Sequence, residues 1–80
     1  MTVQAMEVRD GIEIINICDL MDEMGWWELG RENMCDSLGQ WCKDNRASYY
    51  ADSREDFWVG HAVAVAKKEG NTKVVVEDLS

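Results

Sequence analysis

Hydrophobic positions recur at two spacings along the chain, and the change of period divides it into elements. Residues 2–8 alternate loosely, with Val3, Ala5 and Val8 as the candidate inward positions of a short strand. Asp10 followed by Glu13 has capping-box spacing, the first side chain accepting backbone N–H bonds and the second reaching back. Behind it Ile14, Ile17, Cys18, Met21 and Met24 recur at helical spacing, and Gly25 is placed to stop the helix. A first helix is therefore expected over 11–24. Met34, Cys35, Leu38, Trp41, Cys42 and Asn45 mark one side of a second helix over 31–45, with Glu32, Asp36 and Lys43 opposite. Gly39 inside it costs about 1 kcal/mol relative to Ala. Residues 46–52 read as a connection.

The last third admits two readings. Ser53 with Asp56 is spaced to cap a helix running to Lys68, with Gly70 just past its end. That helix would carry Phe57, His61, Ala64 and Val65 on one face and Val59, Val63 and Ala66 on the other, and so would be covered on both sides. Alternatively, residues 62–66 and 74–76 are β-prone segments around a Gly-Asn turn, a hairpin signal. The two caps and the alanines favour the helix, and both readings keep a strand over 73–78. The expected fold class is α+β. Residues 1–80 form a small single domain of two to three helices packed on a short sheet. That sheet includes the C-terminal strand (73–78), with the N-terminal segment (2–8) as a further candidate.

Size and composition narrow the picture. Eighty residues hold one core, and 46% hydrophobic with 30% charged residues is globular composition. The start of the chain has no basic-then-apolar leader, and the most apolar window, 58–66, is far shorter than the roughly 18 residues of a membrane span. The three cysteines are an odd number that suits a reducing compartment, so a cytoplasmic location is expected. Cys18, Cys35 and Cys42 with His61 would make a thiolate-imidazole zinc set, but no closely spaced cysteine pair seeds it, and no metal or cofactor is assigned.

Charge changes the picture most. Sixteen acidic residues face eight Lys plus Arg, for a net charge of -8. Residues 10–36 hold eight of the acids (Asp10, Glu13, Asp19, Asp22, Glu23, Glu28, Glu32 and Asp36) against Arg31 alone, which is -7 of the total. Residues 43–78 are nearly balanced, with seven acids and six bases. Such a balance disfavours the phosphate backbone and anionic membranes as partners. On a helix over 11–24, Asp19, Asp22 and Glu23 lie opposite the apolar stripe, beside Ile12 and Ile15, a pattern suited to a basic, partly apolar partner. Trp41 and Trp58 sit on apolar faces. Trp26 and Trp27 are adjacent, so one of the two is expected at the surface beside the acids.

No nucleophile-base pair, phosphate loop or calcium-loop spacing is present, and a non-enzymatic role is expected. In size and charge the chain resembles the small acidic proteins that phages use against restriction or CRISPR effectors, and the immunity proteins of nuclease toxins. The expected function is accordingly an inhibitor that occupies a basic, nucleic-acid-handling surface of a larger protein. Its candidate contact residues are Ile12, Ile15, Asp19, Asp22, Glu23, Trp26, Trp27 and Glu28. The competing expectation is a self-assembling helix-turn-helix-like regulator or a homodimeric structural protein. The acids of the second helix speak against direct DNA contact.

Overall fold

Three consecutive valines near the C-terminus set the layering. The computed structural model describes residues 3–51 and 59–77. Its elements run β1 (Glu7–Arg9), β2 (Ile12–Asn16), α1 (Ile17–Met24), a 3₁₀ turn (Trp26–Glu28), α2 (Arg31–Asp44), β3 (Ala47–Tyr50), α3 (Val59–Lys68) and β4 (Lys73–Val76). The strands form one mixed sheet in the order β1-β2-β4-β3. β1 is antiparallel to β2, while β2 and β3 both run parallel to β4. Helices packed on a sheet that includes N- and C-terminal strands make the fold α+β, as expected.

Val74, Val75 and Val76 are all buried, which in a strand of period two requires cover on both faces. Val74 and Val76 join Ile12 and Ile14 under Ala62, Val63 and Ala66 of α3. Val75 joins Ile15 and Ala47 on the other face, where Leu20 of α1 and Leu38, Trp41 and Cys42 of α2 pack. β4 is thus the inner strand of three parallel neighbours.

The first helix begins later than its periodicity suggested. Asp10 and Gly11 both have left-handed backbone, φ 55° and 79°, and Arg9 pairs with Ile12 across them. This is a two-residue hairpin turn, for which Asp-Gly is a preferred pair. Ile12, Ile14 and Ile15 are β-branched and settle in a strand, where their stiff side chains pack well. Asp10 therefore caps nothing and pairs instead with Lys67 at 3.1 Å, and Glu13 pairs with Lys73 at 3.6 Å. The cap is Asn16, whose side-chain oxygen accepts the Cys18 N–H at 2.8 Å. Gly25, with φ 69°, ends α1 as expected.

Other differences have similar causes. The N-terminal strand is confined to β1, and Val8, expected inward, is 62% exposed. Residues 47–50, expected in a connection, form β3 because β4 offers them a parallel edge at Ala47↔Lys73 through Tyr50↔Val76. α2 matches its predicted span to within a residue.

The helix reading of the last third holds over Val59–Lys68. The Gly-Asn pair closes that helix: Asn71 N–H donates to Ala66 O at 2.9 Å and Gly70 N–H to Lys67 O at 3.1 Å, a Schellman cap. The chain then leaves along β4, so no hairpin forms there. Ala62, Val63 and Ala66 are buried while His61 and Ala64 are exposed, so α3 is covered on one side only. Ser53, Asp56, Phe57 and Trp58 lie outside the described residues. Ser48, buried in β3, donates to Glu69 at 2.6 Å and accepts from Asn71 at 2.8 Å, tying the α3–β4 corner to the sheet edge. Among the described residues no helix is long and apolar enough to cross a membrane.

Ile15→Ala should destabilise the protein by about 2–5 kcal/mol, the usual range for emptying a buried aliphatic site. Urea unfolding followed by circular dichroism measures it, and a change near zero would contradict the placement of Ile15 in β2.

Candidate functional site

The eight residues singled out from the sequence separate into two groups. Ile12 and Ile15 belong to the core, not to a surface: they are 6% and 1% exposed, on opposite faces of β2. Reading residues 11–16 as helix put them on an outer face, and the hairpin removes them from it. The other six lie on α1 and the turn after it.

α1 is short and its burial is one-sided. Leu20 and Met21 are buried against the sheet, so Asp19, Asp22 and Glu23 point outward and are exposed. Together with Val3 and Gln4 these three carboxylates line a shallow depression of about 350 Å³. Asp19 lies in the first turn of α1, where the helix dipole favours a negative charge. The left-handed Gly25 then turns the chain into the 3₁₀ segment. Trp26 goes inward and packs against the Ile15–Leu20 cluster. Trp27 stays 56% exposed, and its indole N–H donates to Asp22 Oδ1. Glu28 is exposed beside it, and Met24 and Leu29 add exposed apolar surface. The expectation that one of the two tryptophans stands at the surface beside the acids is met by Trp27.

Pairing divides the acidic segment. Asp10 and Glu13 are matched by Lys67 and Lys73. Among the described residues no cation pairs with Asp19, Asp22, Glu23, Glu28, Glu32 or Asp36. These six carboxylates are concentrated on α1, the 3₁₀ turn and the first two turns of α2. Clustered like charges oppose folding and raise the local negative potential, which draws a cationic surface from solution.

A second feature adjoins this face and was not read from the sequence. Between α1, the tryptophan turn, α2 and β3 runs an open groove of about 450 Å³, walled largely by Ile17, Met21, Trp27, Met34, Leu38 and Tyr49. It continues past Cys35 and Leu38 toward Gly39 and Cys42. Helical spacing puts Met34 and Cys35 on the same side of α2 as Leu38, Trp41 and Cys42. That apolar side is longer than the strip the sheet covers, so its N-terminal end overhangs. Tyr49 went unnoticed because β3 was not recognised. Its hydroxyl donates to Glu77 Oε1 at 2.6 Å.

Two titrating groups along the groove are shifted upward. Burial first, and then the hydrogen bond and charge of Glu77, push the Tyr49 hydroxyl well above the usual tyrosine range. Burial likewise pushes the Cys42 thiol up, which disfavours the reactive thiolate. Cys18 and Cys35 with Cys42 belong to the helices on one face of the sheet, and His61 to α3 on the other, so the zinc set considered above is not assembled. Among the described residues no group of three His, Cys, Asp or Glu is placed to hold a metal.

Alkaline titration followed by ultraviolet difference spectra should show a tyrosine that ionises above the ordinary pH and is missing in Tyr49→Phe. Glu77→Gln should lower that transition only part of the way, because burial remains. The unfolded chain ionises near the ordinary pKa of 10.0. Tyr49 therefore adds stability that is fully present below that pH and is lost as pH rises above it.

No family model, curated protein or solved structure matches this chain.

Proposed function

We propose that the protein is an inhibitor that binds a larger partner through the outer face of α1 and Trp27, covering a basic groove with which that partner handles nucleic acid. One observation carries the reading: Asp19, Asp22 and Glu23, with no cation partner among the described residues, line one depression, and Asp22 also holds the indole N–H of the exposed Trp27. Carboxylates along a helix can occupy the positions that phosphates take in a cationic groove, and the combined field speeds encounter with it. An exposed indole supplies the large, rigid contact area typical of binding hot spots. On this reading the protein is a binding module and not an enzyme, and it works in the cytoplasm, where its three free thiols stay reduced. Direct DNA binding is less favoured. α2 lays Leu38, Trp41 and Cys42 on the sheet and presents Glu32, Asp36 and Asp44 to solvent.

The test is affinity capture with the wild type and with an Asp19/Asp22/Glu23→Lys variant, at low and raised salt. A nucleic-acid-binding protein should be retained by the wild type, released by raised salt and displaced by duplex DNA. The variant should retain it at least about tenfold more weakly, mainly through slower association. All three positions are exposed, so the variant should keep the wild-type circular dichroism and lose no more than about 2 kcal/mol, from the helix-end charge at Asp19 and the Trp27 bond to Asp22. Equal capture by the two proteins, insensitive to salt, would overturn the reading.

A further inference from the structure

The groove beside the acidic face is mostly apolar, and its surroundings say what fits it. Its walls are formed by two helices and an edge strand, and carry Ile17, Met21, Trp27, Met34, Leu38 and Tyr49. Methionine adapts its shape to different occupants, and grooves between helices with apolar walls accept the apolar side of a helix.

Charge narrows the occupant. Within the groove Arg31 and Glu77 balance. The chain neighbours of the lining residues do not balance. Cys18, Trp27 and Cys35 line the groove, and each is followed in the chain by an exposed carboxylate, Asp19, Glu28 and Asp36, with no cation partner among the described residues. Trp27 joins the two features, since its ring walls the groove while its N–H is held by Asp22 of the acidic depression. A second copy of this chain would bring the same carboxylates against each other, at a net charge of -8 per copy. A segment that is apolar on one side and rich in Lys or Arg at its margins satisfies both parts.

We infer that the α1–α2 groove receives a short amphipathic helix of the partner protein, its apolar side against Met34, Leu38 and Tyr49 and its flanking Lys or Arg side chains on those carboxylates. This rests on the inhibitor reading and specifies the partner. The bound surface is then not a bare basic cleft but a basic-flanked apolar helix beside it.

The experiment uses Trp fluorescence and calorimetry with three synthetic probes. These are a leucine-lysine peptide patterned as an amphipathic helix, the same composition scrambled, and oligolysine. The proteins are the wild type, the Asp19/Asp22/Glu23→Lys variant, and two groove variants, Cys35→Trp and Met34→Lys, each checked for native circular dichroism. Two groove variants are used so that the result stands if one misfolds. The amphipathic peptide should bind the wild type about tenfold or more tightly than the scrambled peptide or oligolysine, and either groove variant should remove that preference. Oligolysine binding should be weak, lost in the charge variant and unaffected in Cys35→Trp, which changes no charge. Equal binding of all three peptides, or a preference that survives both groove variants, would overturn the groove inference while leaving the acidic-face reading standing. Indifference of oligolysine to the charge variant would instead overturn the acidic-face reading. A wild-type protein that sediments as a dimer, dissociated by the groove variants, would show that a second copy occupies the groove and would overturn the inference.

Discussion

The parallel pairing of β4 between β2 and β3 is the constraint on which the rest of the structure depends. Val74, Val75 and Val76 cannot all leave water unless both faces of the strand are covered. Parallel neighbours also cannot be joined by a tight turn, so the chain must cross over the sheet between them. α3 supplies one cover in the short crossover from β3 to β4. α1 and α2 supply the other in the long crossover from β2 to β3. The Schellman cap at Gly70 and the Ser48–Glu69–Asn71 cluster fix the corner where the chain enters β4.

This division of labour leaves its mark on the surface. α3 is short and rich in alanine and needs only Ala62, Val63 and Ala66 to close its side of the sheet. The opposite face is covered by two helices of unequal fit. α1 is an eight-residue helix that buries Leu20 and Met21 and turns all its carboxylates outward. α2 is fourteen residues long, none of them fully buried, and packs through half-buried Leu38, Trp41 and Cys42. The groove lies between these two helices and β3, and acids without a cation partner among the described residues follow three of its lining residues in the chain. Lys67 and Lys73 are engaged by Asp10 and Glu13 of the β1–β2 hairpin, away from the acidic face. The acidic surface and the apolar groove therefore share one origin, the loose fit of the longer crossover, and Trp27 spans both.

Much of this was legible in the sequence. The outward set Asp19, Asp22 and Glu23, the stop at Gly25, the span of α2 and the strand at the C-terminus all follow from local periodicity and capping chemistry, which act within one or two turns. The late start of α1 is also a local matter. Asp-Gly before a run of β-branched residues is a hairpin signal, and it was outweighed by a capping-box spacing that the same Asp10 happens to satisfy. That choice carried Ile12 and Ile15 from the core to the surface.

β3 is of another kind. Ala47-Ser48-Tyr49-Tyr50 has no pattern that demands a strand, and it becomes one only because β4 presents a parallel edge to it. The Tyr49–Glu77 pair, the overhang of Met34 and Cys35, and the groove itself depend on that placement. The sequence by itself determined the charge, the amphipathic halves of its helices and the three valines that must be buried on both sides. Only the tertiary structure decided which apolar residues stayed uncovered and which acids found a cation, because both depend on pairing between segments dozens of residues apart, where no local period reaches.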